Sequence, residues 1–117
     1  MFQADKLKAR TKKFAIRIVK LFRLLPKTEE ARVIGKQVLR SGTSVAANYR
    51  AACRSRSKAE FIAKIGVVVE EADETVFWLE LLVDTDIVQQ SRMDDLLVEA
   101  NELLAIFAAS QRTVKKN

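Results

Sequence analysis

Histidine is absent from this 117-residue chain, and cysteine, proline and glycine nearly so: there is one Cys, one Pro and three Gly. Without an imidazole there is no general base poised near neutral pH, no Ser-His or Cys-His nucleophile, and no Glu-x-x-His ligand pair of the kind that holds di-iron in a helical bundle. The lone Cys53 cannot close a disulfide within the chain, and neither a secretory leader nor an apolar run of about 18 residues is found. A soluble, cytoplasmic protein with no cofactor and no membrane contact is therefore expected. So little Gly and Pro leaves scant material for turns, which favours long helices over any sheet. Aromatic residues make up only 7% of the chain, so stacking on nucleic-acid bases has few platforms.

Positive charge is in excess, and it is unevenly placed. Residues 1–58 hold 16 Lys/Arg against 3 Asp/Glu and residues 59–117 hold 5 against 12, so the halves carry +13 and −7 and sum to +6. Like charges massed on one surface repel one another unless a partner relieves them. Either a polyanion binds the first half, or one half answers the other. The remaining composition, 49% apolar and 31% charged, is ordinary for one globular domain spanning residues 1–117.

Apolar residues recur at alternating steps of three and four, the signature of helices with one buried face. The first stretch, 5–25, carries Leu7, Phe14, Ile18, Leu21 and Leu25, with Thr11 filling the missing heptad position, and Pro26 stops it. The second follows Thr28, an N-cap with Glu29 and Glu30 in the first turn, and runs Ala31, Gly35, Val38, Gly42, Val45, Tyr49, Ala52. Its small residues allow a neighbouring helix to approach closely, although Gly42 within Ser41-Gly42-Thr43-Ser44 equally fits a kink. Ser57-Lys58-Ala59-Glu60 is a capping box that opens the third helix, with Phe61, Ile65, Val68, Ala72, Val76, Leu79 and Val83 on its core stripe. Further apolar residues lie off that stripe, so this helix is either central or part of a subunit interface, where Phe77, Trp78 and Leu81 are the candidates. A loop from Asp84 to Ser91 leads to a fourth helix carrying Leu96, Leu97, Ala100, Leu103, Leu104 and Phe107 and ending near Arg112, with a frayed Lys115-Lys116-Asn117 end. Four such helices on short connections predict an all-α, antiparallel up-down four-helix bundle.

Lys6, Arg10, Lys13, Arg17 and Lys20 fall within an arc of about 80° on the first helix, and Arg32, Lys36, Arg40, Arg50 and Arg54 line a flank of the second. If those flanks adjoin, they form a ridge suited to phosphate backbone, read by shape and charge and not by base sequence. The competing reading is that basic and acidic surfaces simply complement one another between subunits of a structural or protein-binding oligomer. The carboxylates Glu70, Glu71, Asp73 and Glu74 point in several directions around a helix, so a solvated or interfacial face is expected and not a metal site. Cys53, beside Arg50, Arg54 and Arg56 but with no base or second thiol, is expected to be a small buried residue. Asn48 is expected to bond between helices, and Trp78 to anchor packing or an interface.

The run Arg40-Ser41-Gly42-Thr43-Ser44-Val45-Ala46-Ala47-Asn48-Tyr49-Arg50, followed by Arg54-Ser55-Arg56-Ser57-Lys58-Ala59-Glu60-Phe61, Glu71-Ala72-Asp73-Glu74-Thr75 and Trp78-Leu79-Glu80-Leu81-Leu82, resembles the bacterial four-helix bundle proteins encoded in intervening sequences of 23S rRNA genes. The resemblance is strongest over residues 40–83. It implies a left-handed bundle assembled as a ring-like homopentamer, with no enzymatic activity. It also implies kinship with the accessory protein of diversity-generating retroelements, whose basic surface is associated with nucleic acid and a reverse transcriptase. The family pattern Ser-(Ile/Val)-x-x-Asn-Ile-Ala-Glu-Gly is met at Ser44, Val45 and Asn48, but Tyr49, Arg50, Ala51 and Ala52 stand in the remaining positions. No role of the family's Glu or Gly carries over to them.

Overall fold

Local chemistry sets where each helix begins. The Thr28 hydroxyl accepts the Ala31 N–H at 3.3 Å and the Ser57 hydroxyl accepts the Glu60 N–H at 3.0 Å, each satisfying a donor that the first helical turn leaves unpaired. The computed structural model describes residues 2–116, in which these caps frame α1 (Phe2–Leu24), α2 (Glu29–Ala52), α3 (Lys58–Asp84) and α4 (Gln90–Lys116). Together they form the predicted four-helix bundle, 46 Å long. The fourth helix continues past the expected end near Arg112 to Lys116, so the Lys115-Lys116 segment expected to fray is helical; Asn117 lies outside the described residues. In the α3–α4 connection the Ile87 and Val88 N–H groups both donate to the Leu82 carbonyl, at 3.0 and 3.1 Å, and Asp86 takes a left-handed φ of 61°.

One core runs the length of the bundle. Phe14 and Ile18 of α1, Val38 and Val45 of α2, Ile65, Val68, Leu79 and Leu82 of α3, and Met93, Leu103 and Phe107 of α4 are all buried. Thr11 occupies its heptad position as expected, fully buried, with its hydroxyl donating to the Leu7 carbonyl at 2.9 Å. Ser41 and Thr75 do the same one turn back, to Gln37 and Glu71, which is how a hydroxyl enters an apolar seam without losing its hydrogen bond. On α3 the expected stripe holds at its centre, whereas Phe61 and Val83 at its ends are half-buried and Thr75 and Leu82 join the core.

Gly42 does not kink α2, which runs unbroken from Glu29 to Ala52. A Cβ there would lie 2.8 Å from Cγ1 and 2.9 Å from Cγ2 of Ile18, so the glycine serves the close approach of α1. Asn48 bonds within its own helix and not across helices: its Nδ2 donates to the Ser44 carbonyl at 2.9 Å. Cys53 is half-buried at the C-cap of α2, less enclosed than expected. Burial and the adjacent Cys53 together push the Tyr49 phenol well above its ordinary pKa.

Candidate nucleic-acid interface

The order of packing decides where the basic residues go. α2 packs broadly against α1 and α3, and α3 against α4, whereas α1 and α4 meet along a much thinner seam. Across that seam Arg10 forms a fork: its Nε and Nη2 donate to Glu99 at 2.8 and 2.7 Å, and Nη2 also reaches Glu102 at 2.7 Å. The hydrogen bond to Glu99 holds the Arg10 guanidinium more firmly charged, against the opposing effect of its partial burial. The same bond holds the Glu99 carboxyl below its ordinary range, helped by the charges of Arg10, Arg17 and Lys13. The α1 stripe that includes Arg10, Lys13 and Arg17 is therefore turned toward α4, not toward α2 as a joint ridge required.

That lowered carboxyl carries a pH signature. A group whose folded pKa is depressed contributes stability that is present above its unfolded value, ~4.3 for Glu, and is lost as pH falls through the folded value. Glu99→Gln should thus unfold at lower urea than the parent protein at neutral pH, and the gap should close in acid as the parent's own carboxylate protonates. An equal gap at both pH values would show that the ion pair contributes nothing to the fold.

Arg40 is likewise engaged. Its Nη1 donates to both oxygens of Glu71, at 3.2 and 3.3 Å, and its Nη2 to Oε2 of Glu74. The same Glu74 oxygen accepts the Trp78 indole N–H at 3.0 Å, and the Trp78 ring meets Phe77 edge-on at 4.9 Å. Two members of the expected acidic cluster therefore clamp α3 to α2, while Glu70 and Asp73 face solvent. Phe77 is 53% exposed, and Trp78 and Leu81 are half-buried beside it.

Arg50 and Arg54 do reach a shared surface with α1, but the side chains that meet them are Lys8 and Lys12. Those four line one groove floored by Ala9, Thr43, Ala46 and Ala47. Lys8 and Lys12 sit about 140° around α1 from the Arg10 stripe, on the flank that faces α2. Lys8 has a peripheral partner in Asp5 at 3.4 Å; among the described residues Lys12, Arg50 and Arg54 form no ion pair. Arg32 and Lys36 lie at the opposite end of the same face, in a shallow depression shared with Lys27 and Glu29, and a second one there includes Arg23. Lys20 borders a third with Ile16 and Arg23. Lys8 and Lys12 were missed because periodicity marks a helix's faces without saying which neighbour flanks each.

A four-helix bundle with a basic helix pair on one side and an acidic pair on the other is the class that fold and surface define. The chain belongs to the 23S rRNA-intervening sequence protein family, whose model matches residues 5–109. It is similar, at 34% identity with a TM-score of 0.86, to the crystal structure of a protein of unknown function from the S23 ribosomal protein family of Bacteroides thetaiotaomicron VPI-5482; the match covers 93% of this chain and 97% of that one. No curated protein matches it. Family and fold agree with the resemblance read from residues 40–83. Among the described residues no helix is long and apolar enough to cross a membrane.

Proposed function

We propose that this protein is a non-enzymatic, self-associating bundle that binds structured RNA or DNA through the groove between α1 and α2. The observation that carries this reading is the convergence of Lys8, Lys12, Arg50 and Arg54 on one concave surface whose lining holds no carboxylate, Asp5 pairing with Lys8 from outside it. Phosphate oxygens are the natural counter-charge for such a groove, and each contact releases condensed counterions, which makes binding strongly salt-dependent. Arg10 and Arg40, by contrast, already have carboxylate partners and are assigned to holding the bundle together. Changing Lys8, Lys12, Arg50 and Arg54 together to Glu should sharply weaken binding of stem-loop RNA and duplex DNA and leave helicity and subunit number unchanged. Binding at the parent protein's affinity would refute the groove as the interface.

Self-association rests on a different surface. Exposed Phe77 lies on α3 within one arc of the exposed carboxylates Glu70, Asp73, Glu80 and Asp84, an arrangement suited to covering by a second copy. A homopentamer is the assembly the family resemblance favours, and a reverse transcriptase or other protein partner is what it implies. The same patch also supports the alternative of a purely structural or protein-binding oligomer, in which one copy's basic face meets another's acidic face. Phe77→Asp should reduce the mass measured by light scattering with no loss of helicity; an unchanged mass would remove Phe77 from the interface. If instead the groove variant loses its oligomer, the complementary-surface alternative holds.

A further inference from the structure

The cations of the α1–α2 face are not continuous, and the gap between them is built by the fold. Lys8, Lys12, Arg50 and Arg54 form one cluster at the end of the bundle where α1 begins and α2 finishes. Arg23, Lys27, Arg32 and Lys36 form another at the end where the α1–α2 connection lies, tempered by the single carboxylate of Glu29. Between them the outward residues of α1 include Ile16, which is 47% exposed, and the half-buried Val19. Most basic side chains of this middle zone are turned away: Arg40 is held by Glu71 and Glu74 of α3, and Lys13 and Arg17 act on Glu99 of α4, which leaves Lys20 at the edge of the Ile16 depression, on the side of the Arg23 cluster. At about 1.5 Å of rise per residue, Arg32 and Arg50 stand about 27 Å apart along α2.

From this spacing, and resting on the nucleic-acid reading above, we infer that the ligand is a duplex gripped at two points, with a minimum length set by the separation of the two clusters. At about 3.4 Å of axis per base pair of B-form DNA, 27 Å corresponds to about eight base pairs, and to about ten of the more compact A-form RNA, so a shorter duplex reaches one cluster only. A duplex holds its phosphates at fixed distances and pays little ordering entropy to meet both clusters, whereas a single strand needs stacking platforms to compensate for its flexibility. Among the residues whose side chains are described, this face offers one half-buried ring, Phe22 beside Arg23 and Arg32, too few for a strand of stacked bases, while Phe14 and Tyr49 are buried in the core. The ligand class is therefore double-stranded RNA or DNA, recognised through the phosphate backbone the two share.

The test uses the full chain with fluorescent RNA and DNA stems of about six, about ten and about fourteen base pairs, each closed by a non-nucleotide linker, over about 50 to about 200 mM salt. Affinity should step up between the six- and ten-pair stems, and the slope of log K against log salt should steepen from about −4 to about −7, as four and then eight phosphates are neutralised. Arg32→Glu with Lys36→Glu should return the fourteen-pair stem to the shallow slope and leave the six-pair stem bound at the other cluster. Should that variant fold poorly, Arg23→Gln with Lys27→Gln probes the same cluster with smaller change, and partial flattening is expected. A smooth rise with length, or a variant that keeps the steep slope, would overturn the two-point grip while leaving nucleic-acid binding intact. No binding of any stem would overturn the function proposed above, and this inference with it.

Discussion

Truncating Phe107 to alanine is expected to lower the unfolding free energy by about 3–5 kcal/mol, seen as a drop in urea midpoint at an unchanged denaturant slope. The ring is completely buried and packs against the Tyr49 ring of α2 at a centroid distance of 4.9 Å and a tilt of 42°. Removing it deletes the transfer free energy of a whole aromatic side chain and leaves a void that long helices cannot close by bending. It also strips Tyr49 of its aromatic neighbour, and such pairs contribute about 0.5–1.5 kcal/mol beyond burial. Since a domain of this size is stable by about 5–15 kcal/mol in total, the variant should stand near the edge of folding. A loss under about 1 kcal/mol would mean that the core does not depend on this layer.

The second large effect is a change of sign between two glycines. Alanine is favoured over glycine inside a helix by about 1 kcal/mol, so propensity alone makes every helical Gly→Ala substitution stabilising. At Gly42 the new methyl would lie 2.8 to 3.2 Å from three side-chain carbons of Ile18, itself fully buried and unable to withdraw. Overpacking of that kind costs about 1–3 kcal/mol, so Gly42→Ala should destabilise despite its better propensity, and Gly42→Val more so. At Gly66 the only near atom is the end of the Gln111 side chain, at 3.1 Å, which can swing aside. Gly66→Ala should therefore be neutral or stabilising. Thermal unfolding of the two alanine variants decides the matter, and a gain in stability at both positions would refute the close approach of α1 to α2 at Ile18.

These two expectations differ in how visible they were beforehand. Phe107 was legible as core from its three-four spacing with Leu96, Ala100 and Leu103, because burial of one helical face follows from periodicity alone. The capping residues Thr28 and Ser57 were legible for the same kind of reason, since a cap is a contact within four residues. Gly42 was ambiguous: a small residue on a core stripe is compatible with a kink or with close packing, and only the position of Ile18 separates them. Asn48 on a helix suggests a bond between helices, yet its amide donates to the Ser44 carbonyl one turn back within α2.

The candidate site shows the same division more sharply. Composition and order along the chain by themselves determined four long helices, a basic first pair and an acidic second pair, and the family to which the chain belongs. Which cation faces which helix was decided only in three dimensions, because charges within a stripe share a face whatever flanks it, while pairing depends on atoms dozens of residues away. Arg10 meets Glu99 across 89 residues of sequence and Arg40 meets Glu71 across 31. Those pairings withdraw the middle of the basic half into the bundle's own structure and leave Lys8, Lys12, Arg50 and Arg54 together at one end of it.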